Sequence, residues 1–309
     1  MIEQINLAGS FTLPGTSMTL SRMGYGAMQL AGRDGNKLVW GPPRDVDEAI
    51  AVLREAVASG VNHIDTADSY GPHVTNQIIR KALSPYPDDL VIVTKIGARR
   101  GDDGSWIPAF SPEELTRAVH DNLRNLGLDV LDVVNLRCMF NVHEPTEGSI
   151  EAQITVLAEL QQKGLLRHIG LSNVTPAQIV EARQITPIVC VQNMYNLAYR
   201  ADDALIDDLA RDGIAYVPFF PLDGFTPLDS ATLSDVAARL EATPVQVELA
   251  WLLQRSPNIL VIPGTSSLEH LRENLQASML QIPSEVMSDL DSMTLPQKPS
   301  SIHTLLSHV

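Results

Sequence analysis

The sequence predicts a closed (β/α)8 barrel, and three observations carry this prediction. Eight short runs of apolar, often β-branched residues alternate with longer amphipathic runs. The short runs are apolar almost without interruption, which is typical of parallel strands that are covered on both faces. They begin between Met23 and Ile259 at a mean spacing of about 34 residues, close to the length of one strand–helix unit of such a barrel. An open, doubly wound sheet is the alternative architecture.

The predicted strands follow a predicted hairpin at the start of the chain. In chain order the strands begin at Met23, Asn62, Leu90, Val130, Arg167, Ile188, Ile214 and Ile259. The stretch FTLPGTSMTL predicts a short hairpin that turns at Pro14-Gly15 and covers the bottom of the barrel. No composition shift or low-complexity linker interrupts the chain. Residues 1–309 are therefore expected to form a single domain with long βα-loops at the C-terminal face.

Capping signals mark the ends of several predicted helices. Ser111, Thr175 and Thr243 each precede a proline, which combines an N-cap residue with a favoured first helical position. Glu114 completes a capping box with Ser111. Gly127 is expected to end the same helix in a left-handed conformation. These local signals place helices between the predicted strands.

Composition limits the partners and the compartment. Of the 309 residues, 37 are acidic and 22 are Lys or Arg, which gives a formal net charge of −15. Such a field repels nucleic-acid phosphates, although local basic groups can still bind one anionic cofactor. Cys138 and Cys190 each lie in an apolar run, so no disulfide framework is expected. No secretory leader, membrane span or metal-ligand spacing is visible, so we expect a cytoplasmic protein without a metal, whose oligomeric state stays open.

Active-site residues are expected where the strands end, because barrels of this type carry their sites at the C-terminal face. Asp65 and Lys95 lie near the ends of two successive apolar strands, HIDTAD and LVIVTKIG. Opposite charges there can satisfy each other, and a purely structural ion pair is the alternative interpretation. Tyr70 follows Asp65 closely, and a nearby ammonium group stabilises a phenolate and makes a tyrosine a usable proton donor. The three residues therefore form a candidate general-acid site.

Five motifs connect the chain to a known family. NHIDTADSYG, LVIVTKIG, HIGLSN, CVQNMYN and VIPGTSSLEHLREN, in this order, resemble the aldo-keto reductases over nearly the whole chain. The resemblance implies a (β/α)8 barrel that binds NADPH across its mouth and transfers a hydride to a carbonyl, with a tyrosine as the acid. It places the catalytic residues at Tyr70, Asp65, Lys95 and Arg137. The family usually has His at the fourth position, and an Arg there cannot exchange protons at ordinary pH.

Arg137 bears on the substrate more than on the reaction. A fixed cation can polarise a carbonyl oxygen or hold an anionic group of a substrate, and neutralisation of Asp65 or another carboxylate in the mouth is the alternative. The stretches GYGAMQLAG and VTKIGARRGDDGSW resemble family members that reduce pyridoxal. The expected reaction is therefore NADPH-dependent reduction of pyridoxal to pyridoxine. The alternatives are reduction of other small aldehydes, such as sugar or aromatic aldehydes, and a regulatory barrel that binds the cofactor with little turnover.

The resemblance also implies the cofactor-binding residues. The residues that match the nicotinamide end are Ser172, Asn173, Gln192 and Phe219, the last as an aromatic group stacked on the nicotinamide ring. The residues that match the adenosine end are Gly264, Thr265, Ser266, Arg272, Glu273 and Asn274. Gly264 and His270 replace the Lys and Arg that the family usually has there, so a reduced preference for NADPH over NADH is expected. Arg272 is the nearby candidate for contact with the 2′-phosphate.

Two tryptophans are candidates for the wall of a substrate pocket. Trp40 and Trp106 lie in predicted βα-loops, and the Arg99-Arg100 pair shares the loop of Trp106. Together with Arg137 the two tryptophans would line the mouth of the barrel, and ordinary loop packing is the alternative. His63, in the second strand, is expected to be a hydrogen-bonded core or rim histidine rather than a catalyst.

Overall fold

The computed structural model describes residues 6–140, 144–222 and 231–293. Its strands are β1 (Ser10–Thr12), β2 (Thr19–Ser21), β3 (Tyr25–Gly26), β4 (Arg33–Asp34), β5 (Lys37–Leu38), β6 (His63–Asp65), β7 (Val91–Ile96), β8 (Ala98–Arg100), β9 (Trp106–Pro108), β10 (Leu131–Arg137), β11 (Leu166–Ser172), β12 (Ile188–Gln192) and β13 (Ala215–Tyr216). Its helices are α1 (Val46–Ala58), α2 (Val74–Leu83), α3 (Pro112–Leu126), α4 (Glu151–Gln162), α5 (Pro176–Ile185), α6 (Asp203–Arg211), α7 (Ala231–Arg239), α8 (Pro244–Arg255), α9 (Leu268–Gln276) and α10 (Ser284–Asp291). Within these ranges no helix is long and apolar enough to span a lipid bilayer.

A parallel sheet in the order β3-β6-β7-β10-β11-β12-β13 forms most of the barrel wall. The predicted eighth strand closes this wall through isolated bridges rather than as a regular strand. One bridge joins Ile259 to Tyr216 in β13, and another joins Val261 to Met23, just before β3. The backbone N–H of Gly24 also donates to the carbonyl of Val261 at 2.8 Å. The structure therefore confirms the (β/α)8 barrel rather than the open sheet.

The predicted hairpin covers the bottom of the barrel. Strands β1 and β2 pair antiparallel on either side of a turn that contains Gly15 at φ 70°. Leu13 and Leu20 are buried and pack into one apolar cluster with side chains of the barrel interior. The interior members are Val91, Val93, Val133, Val189, Cys190, Ala215, Val217, Leu260 and Ile262. The hairpin thus fills the end of the barrel opposite the strand ends that carry the predicted site.

The helix ends follow the capping signals of the sequence. Ser111, Thr175 and Thr243 each form a capping box, in which the side chain accepts from the backbone N–H three residues later. Gly127 ends α3 in the left-handed conformation at φ 69°. The predicted C-terminal loop, residues 296–309, lies outside the described residues.

His63 departs from its expected hydrogen-bonded state. Its side chain lies in the barrel interior, and neither ring nitrogen has a hydrogen-bond partner among the described residues. The ring occupies the space beside Gly24, where any Cβ would collide with it. Burial lowers the pKa of His63 to about 4, and the nearby charge of Asp65 offsets this only in part. The imidazole is therefore neutral and acts as a packing group in the core.

We expect His63 to make folding sensitive to acid. The pKa of His63 falls from an ordinary 6.5 in the unfolded chain to about 4 in the folded protein. Below pH 6.5 the unfolded chain therefore binds a proton that the folded protein does not, and the free energy of unfolding decreases as the pH falls from 6.5 toward 4. Between about pH 7 and pH 5, the wild type should lose about 2 kcal/mol more free energy of unfolding than His63→Leu does. Urea unfolding at the two pH values measures the difference.

The matched control for this variant is His120→Leu, because His120 is an exposed histidine of α3. The control should retain the acid sensitivity of the wild type. If His63→Leu retained it as well, burial of His63 would not be its source.

Candidate active site

The carboxyl ends of neighbouring strands bring the predicted site residues into one layer of the barrel. Arg137 in β10 is in register with Ser172 in β11, and Ser172 is in register with Gln192 in β12. Lys95 in β7 pairs with Asn135, two residues before Arg137 on β10. Because side chains alternate between the faces of a strand, these positions all point into the barrel. The parallel sheet thus converts scattered sequence positions into one polar cluster.

A buried ion pair lies at the centre of this cluster. The ammonium group of Lys95 donates to one carboxylate oxygen of Asp65, and both side chains are at most 5% exposed. Lys95 also donates to the carbonyl of Thr66 at 3.1 Å, and the amide of Gln192 donates to the other oxygen of Asp65 at 2.9 Å. These additional hydrogen bonds offset the cost of removing both charges from water. The ion pair that we predicted is present.

Tyr70 lies beside the ion pair and is almost fully buried. The ammonium group of Lys95 is 5.5 Å from the centre of the tyrosine ring. On the other side, Nη2 of Arg137 donates to the hydroxyl of Tyr70 at 3.4 Å. The structure therefore brings Asp65, Lys95, Tyr70 and Arg137 together in one connected cluster.

Arg137 does not neutralise the buried carboxylate. Both oxygens of Asp65 are used by Lys95 and Gln192, and Arg137 forms no ion pair with any carboxylate of the described residues. Its guanidinium lies 5.1 Å from the centre of the Trp106 ring. The guanidinium of Arg137 thus contacts the ring of Trp106 and the hydroxyl of Tyr70, and no carboxylate of the described residues neutralises its charge.

A polar network that sequence reasoning missed lies behind the ion pair. Asn122 of α3 accepts hydrogen bonds from Asn76 of α2 at 2.9 Å and from Thr94 of β7 at 2.6 Å. Asn76 in turn accepts from Thr66, directly after β6, at 2.8 Å. All four side chains are fully buried. A polar residue on the buried face of an amphipathic helix was the signal that could have revealed Asn76 and Asn122.

Two buried polar atoms at the nicotinamide end lack protein partners. Within the described residues, neither the hydroxyl of Ser172 nor the amide oxygen of Gln192 has a hydrogen-bond partner. Asn173 between their strands adopts a left-handed conformation at φ 58°, and its amide donates to the carbonyl of Cys138 at 2.7 Å. Unsatisfied buried polar atoms cost free energy unless a ligand completes their hydrogen bonds. A hydroxyl and an amide oxygen fit the carboxamide of a nicotinamide.

Phe219 lies two strands beyond Ser172. Its backbone N–H donates to the carbonyl of Asn193 at 3.0 Å, next to Gln192. Its half-buried ring makes an edge contact with Phe220, with ring centres 5.5 Å apart. An aromatic ring is therefore present near the positions that the sequence predicts to bind the carboxamide.

The segment at the predicted adenosine end runs from the eighth strand into α9. Tyr25 donates from its hydroxyl to the carbonyl of Thr265 at 2.5 Å, and the hydroxyl of Thr265 accepts from the backbone N–H of Ser267 at 3.1 Å. Ser266 is half-buried between them. Further along α9, Glu273 is half-buried and Asn274 is buried. The segment is thus hydrogen-bonded to Tyr25 of β3, the first strand of the barrel wall.

Gly264 lies at the seam where the barrel closes. A Cβ atom at this position would come within 2.5 Å of the carbonyl oxygen of Gly26. No side chain fits there unless the two backbones separate. His270 and Arg272 are both exposed on α9, and Arg272 forms a bidentate ion pair with Glu55 of α1 at 2.6 and 3.0 Å.

The two tryptophans lie in separate loops above the barrel. Trp40 lies in the connection between β5 and α1, and Trp106 begins β9 in the hairpin after β7. Trp106 meets Tyr70 edge to face, with ring centres 6.5 Å apart. Both rings are half-buried, so each combines loop packing with a surface that a ligand can reach.

Comparison with known proteins decides the family of this barrel. The family model described as the aldo/keto reductase family matches residues 22–294. The chain belongs to the aldo/keto reductase family. It is therefore an oxidoreductase that acts on carbonyl and alcohol groups and uses a nicotinamide cofactor.

Individual relatives of this reductase are similar over nearly their full length. It is 71% identical to a pyridoxine 4-dehydrogenase of Escherichia coli (strain K12) over 288 residues, 93% of this chain and 99% of that protein. A thermostable aldo-keto reductase solved with the inhibitor epalrestat superposes with a TM-score of 0.76 at 30% identity, over 92% of this chain and 98% of the other. A Klebsiella pneumoniae aldo/keto reductase solved with NADP and acetate shares the fold, with a TM-score of 0.72 at 21% identity over 91% and 94% of the two chains.

We expect the Asn122 network to stabilise the strands that carry the ion pair. Asn122→Ala leaves the buried donors of Asn76 and Thr94 without an acceptor, which should lower the free energy of unfolding by roughly 2–5 kcal/mol. Urea unfolding measures this loss. Arg117→Ala, at an exposed position of the same helix, is the control and should change stability little. A loss for Asn122→Ala as small as that of the control would contradict the expectation.

Proposed function

We propose that this reductase uses NADPH to reduce pyridoxal to pyridoxine at the mouth of the barrel. The observation that carries the proposal is Tyr70, whose ring lies 5.5 Å from the ammonium group of Lys95 and whose hydroxyl accepts from Arg137. Two buried polar atoms without a partner among the described residues, in Ser172 and Gln192, lie at the ends of the next two strands after that of Arg137. The identity to the Escherichia coli pyridoxine 4-dehydrogenase, 71% over 93% of this chain, supports the choice of substrate.

Ser172, Asn173 and Gln192 would hold the carboxamide of the cofactor, and Phe219 would contact its ring. When bound, the nicotinamide supplies the hydride. The carboxamide would supply hydrogen bonds to the buried hydroxyl of Ser172 and amide oxygen of Gln192, which have no partner among the described residues. Since these residues end strands of a rigid barrel, they orient the carboxamide with little freedom.

Tyr70 supplies the proton of the reaction. As the carbonyl carbon gains the hydride, the carbonyl oxygen takes the proton of the phenol and becomes an alcohol. The ammonium group of Lys95 stabilises the phenolate that remains, and Asp65 holds that group in place through its hydrogen bond. Arg137 donates toward the same oxygen and polarises the carbonyl before transfer.

Arg137 also provides the selectivity for pyridoxal. This aldehyde has a neighbouring phenolic oxygen that is largely ionised near neutral pH. A guanidinium that no carboxylate of the described residues neutralises can bind this oxygen through a charge-assisted hydrogen bond. Trp40 and Trp106 complete the proposed wall around a flat aromatic substrate.

The preference for NADPH over NADH is proposed to be modest. Gly264 and His270 remove two cationic side chains from the adenosine end, and Arg272 must exchange Glu55 for a 2′-phosphate. Thr265, Ser266, Glu273 and Asn274 would complete that end of the site. We also propose that residues 1–309 form one domain. A cytoplasmic location is proposed because Cys138 and Cys190 are both free thiols.

We expect Tyr70→Phe to lower kcat for pyridoxal by about 10²–10⁴-fold, because the ring remains and only the proton donor is lost. Absorbance of NADPH with pyridoxal measures turnover, and quenching of protein fluorescence should show unchanged binding of NADPH. Tyr86→Phe is the matched control, because it removes a hydroxyl that donates to Leu126, away from the mouth. Retention of more than about a tenth of kcat would refute the role of Tyr70. Binding of NADPH without turnover in the wild type would instead support a regulatory barrel.

We expect Arg137→His to reduce kcat/KM for pyridoxal more than for benzaldehyde, which lacks the neighbouring oxygen. Loss of one charge-assisted contact should shift the ratio of the two values by roughly ten- to a hundredfold. The measurement is kcat/KM for both aldehydes in wild type and variant. An equal fall for both would assign Arg137 to the general carbonyl site, and no fall would remove it from the site.

A further inference from the structure

Arg100 links two loops above the barrel through its guanidinium group. It lies at the end of β8, and its Nη1 and Nη2 donate to the carbonyls of Val39 and Leu38 at 3.1 and 2.9 Å. Its Nε and Nη2 also donate to the carbonyl of Gly104 at 3.2 and 2.6 Å. Leu38 ends β5 and Val39 begins the loop between β5 and α1, whereas Gly104 belongs to the turn of the β8–β9 hairpin. One side chain thus ties together two loops that are about 60 residues apart in sequence.

The same guanidinium contacts both tryptophans of the proposed pocket wall. It lies 4.4 Å from the centre of the Trp106 ring and 5.5 Å from the centre of the Trp40 ring. A planar guanidinium stacks on aromatic faces while its edge donates hydrogen bonds, and the ammonium of a lysine cannot do both. Trp106 in turn contacts Tyr70 and Arg137. Arg100 is therefore connected to the site through Trp106.

The two arginines near Trp106 have different hydrogen-bonding states. Arg100 uses four of its five N–H groups on carbonyl oxygens of the protein. Within the described residues, Arg137 directs one hydrogen bond at Tyr70 and forms no ion pair. Burial and the like charge of Arg137 lower the pKa of Arg100 to about 10, so Arg100 remains a cation at neutral pH. Arg100 is committed to the loops, and Arg137 remains free for the substrate.

We propose that Arg100 is a positioning residue for the aldehyde substrate. Its planar fork fixes the two loops and holds Trp106 against Arg137 and Tyr70, which sets the wall that a flat aromatic aldehyde meets. The inference rests on the proposed reduction of pyridoxal and adds a residue that does not itself touch the reacting atoms.

Kinetics of Arg100 variants test this role. Arg100→Met should lower kcat/KM for pyridoxal by about tenfold or more, mainly through a higher KM, because a loosened wall no longer preorganises the pocket. Binding of NADPH should be unchanged. Arg100→Lys keeps the charge without the fork, so it should resemble Arg100→Met. Arg99→Met is the matched control, since Arg99 is the exposed neighbour on β8 and pairs with Glu114.

Two kinetic outcomes overturn the proposal. One is a KM for Arg100→Met equal to that of Arg99→Met. The other is full activity in Arg100→Lys, which would show that charge alone suffices.

Tryptophan fluorescence tests the loop contacts without relying on activity. Loosening of Trp40 and Trp106 in Arg100→Met should shift the emission to longer wavelength, while Trp251 stays fully buried in α8 as an unchanged background. Arg99→Met should leave the spectrum as it is. An unchanged emission spectrum in Arg100→Met overturns the proposed positioning role, whether or not pyridoxal is a substrate. A shifted spectrum in Arg100→Met, together with a wild type that does not turn over pyridoxal, refutes the proposed function alone.

Discussion

The buried ion pair between Asp65 and Lys95 is the constraint on which the mouth of the barrel depends, because each charge is stabilised only while the other stays in contact with it. Removal of one partner from such a pair typically costs about 3–5 kcal/mol, because the other charge stays buried and uncompensated. The pair therefore constrains the register of β6 against β7, in which Asp65 lies opposite Val93, two residues before Lys95. Gln192 extends the requirement to β12 through the second oxygen of Asp65. The geometry of three strands is thus tied to one electrostatic constraint.

The parts of the site differ in how they are supported. The network of Thr66, Asn76, Thr94 and Asn122 anchors the ion pair to two helices from behind. The proposed substrate wall, in contrast, lies on loops that are joined by side-chain contacts of Arg100. The residues proposed for proton transfer thus lie on regular secondary structure, whereas the residues proposed for substrate recognition lie on loops that can vary without disturbing the barrel.

The fold could be predicted well because strand periodicity and helix capping each depend on residues that are close together in sequence. Predicted strand starts such as Leu90 and Val130 fall one residue before the observed strands, and the capping boxes form as expected. Asp65, Lys95 and Tyr70 could be grouped because parallel strands place their ends at one face, whereas Arg137 was added to them by the family resemblance. The unpartnered state of His63, the network around Asn122 and the carbonyl contacts of Arg100 could not be predicted, because each depends on groups that are distant in sequence. The expectation that His63 is hydrogen-bonded was wrong for this reason.

The close approach of Gly264 to Gly26 restricts how the proposed adenosine end of the site can evolve or be redesigned. Any side chain at this seam separates two strands of the barrel, so introduction of a basic residue there is coupled to folding. The exposed positions of α9, His270 and Arg272, carry no such coupling. Changes in charge toward or away from a phosphorylated adenosine can therefore accumulate on this helix while the barrel stays intact.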